Sequence, residues 1–167
     1  MKFYVFFALL VPLQILSFIL MFPSIDLSNA PVAVYECEIQ DGTEVTIVFL
    51  DEDHPNPLID PIYDIFRLFR WGRMKDVESF YVKDGSVLFP DDYASVSSFF
   101  QTHDLHERRE VPLKDFEFLN GEMLVYVNTW NHMFSNLPIP SLTYVPMIFT
   151  PKVGCRSDVE KVLSIFK

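Results

Sequence analysis

The chain has 167 residues, half of them hydrophobic and 22% charged, which suits one packed domain and leaves no room for a long disordered stretch. Its net charge is −10, and beyond the first 25 residues 12 Lys and Arg face 23 Asp and Glu. A surface of that sign repels phosphate backbones, which argues against nucleic-acid binding, and no basic tract is long enough to grip anionic lipid.

Residues 3–22, FYVFFALLVPLQILSFILMF, carry no charge and only Gln14 and Ser17 as polar interruptions. Twenty helical residues span roughly 30 Å, the hydrocarbon thickness of a bilayer. The run therefore predicts a transmembrane anchor or uncleaved signal over residues 1–24, with the lipid bilayer as partner. Lys2 precedes the run and acidic residues follow it, which places the N-terminus in the cytoplasm and the rest of the chain outside or in a lumen. The rival is a cleaved signal peptide and a secreted product. Against that rival, the small-residue candidate Ser28-Asn29-Ala30 is followed at once by Pro31.

After a short stem at residues 25–31, a single domain is expected over residues 32–167. Val32–Ile39 and Glu44–Leu50 flank Gln40-Asp41-Gly42-Thr43, a hairpin signal, because Asp-Gly accepts the positive φ of a tight primed turn. A helix follows, with Asp60-Pro61 opening it and Gly72 stopping it. Ile62, Ile65, Phe66 and Phe69 share one side of that helix and predict its buried face. A second hairpin is marked by Lys83-Asp84-Gly85-Ser86. Pro90-Asp91-Asp92 predicts another helix, with Tyr93, Val96, Phe99 and Phe100 as its apolar side. Asn120-Gly121 marks a third hairpin, and Leu142–Phe149 reads as an edge strand because of Pro146. Ser157-Asp158-Val159-Glu160 has the pattern of a capping box before a final helix with Val159, Val162, Leu163 and Phe166 inside. Together these elements predict an α+β fold: an N-terminal transmembrane helix, then a small antiparallel sheet domain with three hairpins, about seven strands and about three helices.

Phosphate loops, dinucleotide fingerprints, nucleophile elbows and Cys-x-x-Cys pairs are all missing from the sequence. His103 and His106, at i and i+3, offer two imidazoles to a metal, against the plainer reading of a polar exit into a charged loop. Asp51-Glu52-Asp53-His54 is acidic but lacks calcium-loop spacing and reads as solvated. Asn128-Thr129-Trp130-Asn131-His132 gathers amides, an indole and an imidazole at a strand end, so Asn128, Trp130, Asn131 and His132 are binding candidates. Leu68, Trp71 and Arg73 flank the helix stripe and suggest a second contact with a bilayer or a protein partner. Cys37 and Cys155 form a disulfide if the domain lies outside the cytoplasm. The reading that follows is a membrane-tethered, non-catalytic binding or accessory domain with no cofactor. The alternatives are a small hydrolase or metal-dependent enzyme with a His/Asp/Glu site, and a structural subunit of a membrane complex.

Overall fold

The computed structural model describes residues 17–102 and 106–165. Strands β1 (Phe18–Pro23), β2 (Pro31–Ile39) and β3 (Gly42–Phe49) come first, followed by helix α1 (Asp60–Trp71). The next strands are β4 (Val77–Lys83), β5 (Ser86–Tyr93), β6 (Glu107–Pro112), β7 (Phe118–Leu119) and β8 (Glu122–Val127). Then come β9 (Phe134–Ser135), β10 (Tyr144–Met147), β11 (Lys152–Val153) and the closing helix α2 (Arg156–Leu163).

All eleven strands belong to one mixed sheet, in the order β10-β1-β8-β9-β5-β4-β3-β2-β11, with β6 on β5 and β7 on β8. The two ends of that order, β10 and β11, are joined by only residues 148–151. So short a link spans no more than about 18 Å of extended chain, so the sheet curls until its ends approach and forms a half-barrel. Inside lies a continuous apolar core that includes Leu20, Phe22, Ile47, Phe49, Phe80, Phe89, Val125 and Phe134. Its rings interlock, with Phe80 edge-on to Phe134 at 5.4 Å and tilted against Phe89 at 5.8 Å.

The expected antiparallel α+β domain behind a transmembrane helix is thus corrected to a curled mixed sheet with two short α-helices. Among the described residues no helix is long and apolar enough to cross a membrane. The C-terminal part of the apolar run is β1, which pairs parallel to β8 on one side and antiparallel to β10 on the other. Leu20 and Phe22 face the main core, while Ile19 packs with Leu124 and Tyr126 on the opposite face. A strand buried on both faces needs apolar residues at every position, as a membrane helix does, so the run does not distinguish the two by itself. Residues 1–16 lie outside the described residues.

The three hairpins form where turn chemistry placed them. Ile39 pairs with Gly42, Lys83 with Ser86, and Leu119 with Glu122. Asn120 and Gly121 both have positive φ, 55° and 87°, as a primed turn requires. At Gly42 a Cβ would come within 2.0 Å of the Val82 carbonyl oxygen, so only glycine fits there.

Three further expectations are corrected. Pro90-Asp91-Asp92 continues β5 instead of opening a helix, and the described residues 94–102 form no helix. The final helix starts at Arg156 after Cys155, with no side-chain cap, so the capping box is not made. Val159 is buried in α2, but Val162 is 80% exposed. Most informative is α1. Ile62, Ile65, Phe66 and Phe69 face outward, Phe69 at 76% exposure, and the side turned to the domain carries Arg67, 1% exposed.

The disulfide between Cys37 and Cys155 is formed, with Cα atoms 4.8 Å apart across a sequence separation of 118. It ties β2 to the start of α2. In the chain-entropy account, closing so long a loop stabilises the fold by up to about 4–5 kcal/mol.

Candidate functional site

The inverted orientation of α1 follows from what lies beneath it. Gly72 caps the helix in the left-handed conformation and Pro61 starts it, so its limits are local. Its inward face is fixed by polar bonds. The Arg67 guanidinium donates to the Asp51 carboxylate at 2.7 Å, to the Glu52 carbonyl at 3.2 Å and to the Met74 carbonyl. It also lies 3.4 Å from the Glu52 carboxyl, to which the Tyr63 hydroxyl donates at 2.7 Å. A buried guanidinium left without these partners costs several kcal/mol, so the apolar side of the helix turns outward.

Behind this layer stands His132, wholly buried between β8 and β9. Its ring stacks on Phe49 with centroids 4.0 Å apart and planes within 6°. Nδ1 lies 2.9 Å from Asp76, which immediately precedes β4, and Nε2 lies 3.3 Å from Asp26, in the 3-10 segment after β1. Burial by itself lowers the imidazole pKa, but the hydrogen bonds and charges of Asp26 and Asp76 outweigh it and hold it at about 9. His132 is therefore an imidazolium clamp joining three parts of the sheet. Its φ of 57° is a left-handed value that few side chains accept.

Between α1, β4, β5 and the start of α2 opens a cavity of about 230 Å³. Its walls carry four carboxyl groups (Glu52, Asp76, Glu78, Asp92) and three guanidinium groups (Arg67, Arg73, Arg156), with Trp71, Tyr63 and Asn131 beside them. The carboxyls titrate in opposite directions. Burial, and then the charges of Asp76 and Asp92, push the Glu78 pKa well above the usual carboxyl range and favour the neutral acid. Burial and the Asp76 charge raise Glu52 to about 8. Asp76 is lowered, because its hydrogen bond to His132 and the charges of His132 and Arg67 overcome its burial. Arg156 closes the far side, 3.7 Å from Asp92, 4.0 Å from Glu78 and 2.9 Å from Glu160, while donating to the Val77 carbonyl at 2.7 Å.

Asn131 is among the polar residues of the cavity wall. Its side chain is 8% exposed, it lines the cavity, and its Oδ1 is buried with no hydrogen bond among the described residues. Asp26 Oδ2, Asp64 Oδ1 and His132 Nε2 are in the same state.

Of the residues singled out from the sequence, Asn131, Trp71, Arg73 and His106 line this cavity. Trp71 is 45% exposed at its lip. Arg73 is buried, donates to the Lys75 carbonyl and lies 3.5 Å from Glu160. Asn128 and Trp130 do not line the cavity: Asn128 bonds the Leu137 carbonyl and the Tyr144 hydroxyl, and the Trp130 indole donates to the Gln101 carbonyl. Leu68 is half-buried on α1. His106 is exposed, with Nδ1 3.1 Å from the Asp91 carbonyl oxygen, and its proposed metal partner His103 lies outside the described residues. Among the described residues, the one group close enough to share a metal is Cys37, Cys155 and Glu44, whose two sulfurs are bonded to each other.

Glu52, read from sequence as part of a solvated loop, and Tyr63, Asp76, Glu78, Asp92 and Arg156 were not anticipated, while Arg67 had been singled out only as one of the basic groups near the C-terminal end of α1. The available signal was alternation: Asp76, Glu78 and Ser79 interrupt the start of an otherwise apolar strand.

A second cavity, about 370 Å³, lies in the seam between the ends of the sheet, lined by Phe18, Val34, Phe149 and Val153 with Glu36 and Glu122. It has fewer convergent polar groups. Comparison of the chain with protein-family models, with curated proteins and with solved structures returned no match.

Proposed function

We propose that this chain is an extracytoplasmic binding or accessory domain that holds a small polar ligand in the cavity beneath α1. The observation that carries the reading is a cavity of about 230 Å³ walled by carboxyl and guanidinium groups, with Asn131 and Trp71 in its lining. A cavity of about 230 Å³ is smaller than the roughly 300–1,000 Å³ of drug-sized sites, so the ligand is small. The raised Glu78 donates a hydrogen bond, Asp76 accepts one, and Arg73 and Arg156 supply further donors. Trp71 offers a ring face at the lip. Hydroxyl-rich and zwitterionic molecules match that mixture of donors, acceptors and one aromatic surface.

Compartment enters through the disulfide and the leader. A bridge between distant cysteines is what an oxidising compartment produces. With β1 beginning at Phe18, the uncharged run that precedes Ser17 in the sequence is residues 3–16, a length within the 7–15 residues of a signal-peptide core. Secretion with removal of the leader before Phe18 is accordingly the proposed route. N-terminal sequencing of the protein from its native source checks it, and a mature start beyond Phe18 overturns it.

The binding reading is tested by thermal shift of the chain against panels of monosaccharides and free amino acids, in parallel with Trp71→Ala. A hit that stabilises the wild type and is weakened at least tenfold by Trp71→Ala supports it. A hit unaffected by Trp71→Ala, or no hit in either panel, overturns it.

One observation favours a second reading, a small hydrolase: the lowered Asp76 and raised Glu78 share one cavity, the split that acid–base chemistry uses. Turnover of p-nitrophenyl glycosides or esters that Glu78→Gln abolishes would decide for it.

A further inference from the structure

The outer face of α1 is an apolar surface without a cover among the described residues. Leu58 and Ile59 precede the helix, and Ile62, Ile65, Phe66 and Phe69 run along it; Leu58 is 84% exposed and Ile62 68%. At typical side-chain areas these groups leave on the order of 700 Å² of apolar surface open. Monomers rarely show a contiguous patch above about 300–600 Å², whereas a standard interface takes about 800 Å² from each partner. The face continues past the helix end, where the Ile165 amide donates to the Gly72 carbonyl and the Ile165 side chain is itself 63% exposed.

We propose that this face is a homodimer interface in which two copies of α1 pack antiparallel about a two-fold axis. Antiparallel pairing is self-complementary in this sequence. With the axis between Ile65 and Phe66, Ile65 meets Phe66 of the second copy and Ile62 meets Phe69, so each contact sets an aliphatic group against a ring. The electrostatics agree. The N-terminal end of α1 carries Asp60, with exposed Asp53 ahead of it, and the C-terminal end carries exposed Arg70. Antiparallel packing brings opposite ends together, along with opposite poles of the helix dipoles. A bilayer surface is the weaker occupant, since a domain of such acidity is repelled by anionic headgroups. The interface is independent of what the cavity holds.

The test is single-cysteine crosslinking of the full chain, with Cys37 and Cys155 retained as the intramolecular bridge. Ile65→Cys and Phe66→Cys lie beside the axis and each form a covalent dimer on mild oxidation. Ile62→Cys and Phe69→Cys each fail alone, because each faces a different residue across the axis, yet an equimolar mixture of the two crosslinks. Lys83→Cys, on a hairpin away from α1, forms no covalent dimer. Ile62→Glu with Phe69→Glu turns the dimer into a monomer in sedimentation velocity with unchanged far-UV circular dichroism. Absence of the crosslinks at Ile65 and Phe66 overturns the proposal. If flotation with phosphatidylcholine vesicles is then lost in the double-Glu variant, lipid is the occupant. If neither dimer nor flotation is seen, the chain's own remaining residues cover the face.

Discussion

Replacing His132 by Asn tests the imidazolium clamp at the centre of the sheet. Asn tolerates the φ of 57° at this position, so the backbone is not the variable. The folded pKa of about 9 lies above the ordinary 6.5 of histidine, a difference worth about 3 kcal/mol. A group raised in the fold contributes all of its stabilisation below the unfolded value and loses it as pH rises through the folded one. The wild type should therefore forfeit most of this contribution between pH 7 and pH 10, about 2–3 kcal/mol. His132→Asn has no such proton to lose. It is less stable throughout, because the ring volume is gone and Asp26 and Asp76 stand without their cation, but that deficit should shrink as pH rises. Urea denaturation of both proteins at pH 7, 8.5 and 10 measures it. A deficit that stays constant across that range would show that His132 is neutral in the fold, and the clamp would be refuted.

Other outcomes follow from the same structure. Arg67→Met should cost about 3–5 kcal/mol in urea denaturation, since it strands the Asp51 and Glu52 groups that bind the guanidinium. Reduction of the disulfide, or Cys37→Ser with Cys155→Ser, should lower stability by up to about 4–5 kcal/mol in calorimetry. A chain beginning at Ser17 should keep its cooperative melt. One beginning at Ser24 should lose it, because β1 lies between β10 and β8 and supplies the fully buried Leu20 and Phe22 to the core. Glu78→Gln should match the wild type in urea denaturation at pH below the ordinary glutamate pKa and become the more stable of the two as pH rises to neutrality, since a carboxyl whose pKa is raised in the fold costs stability from its unfolded pKa upward.

Local chemistry was legible in the sequence and distant pairing was not. Asp-Gly and Asn-Gly turns announced three hairpins because the turn dictates positive φ within two residues. Gly72 and Pro61 announced the limits of α1 for the same reason. The parallel pairing of Phe18 with Met123 joins residues about a hundred positions apart, and nothing in the apolar run names that partner. The run was read as a membrane helix because burial on both faces leaves the same hydrophobic signature in a strand. The stripe on α1 was seen correctly but turned the wrong way. Its direction depends on Arg67 meeting Asp51 and Glu52, and on Tyr63 meeting Glu52, all on another stretch of chain. The cavity was missed for a related reason: its carboxyls come from the β3–α1 loop, β4 and β5, and each looks like an ordinary surface acid in its own neighbourhood. Asn131, which lines the cavity, was singled out because amides clustered at a strand end are a local signal.

The measurement that bears most directly on the cavity as a binding site is nitrogen-15 chemical-shift mapping of the chain titrated with whichever monosaccharide or amino acid stabilises it. The Asn131 side-chain amide and the Trp71 indole should shift together and saturate at one affinity, with backbone changes confined to residues 76–78, 92 and 131. Shifts that map instead to the seam between β1 and β2, or to the outer face of α1, would contradict the assignment of the cavity as the site.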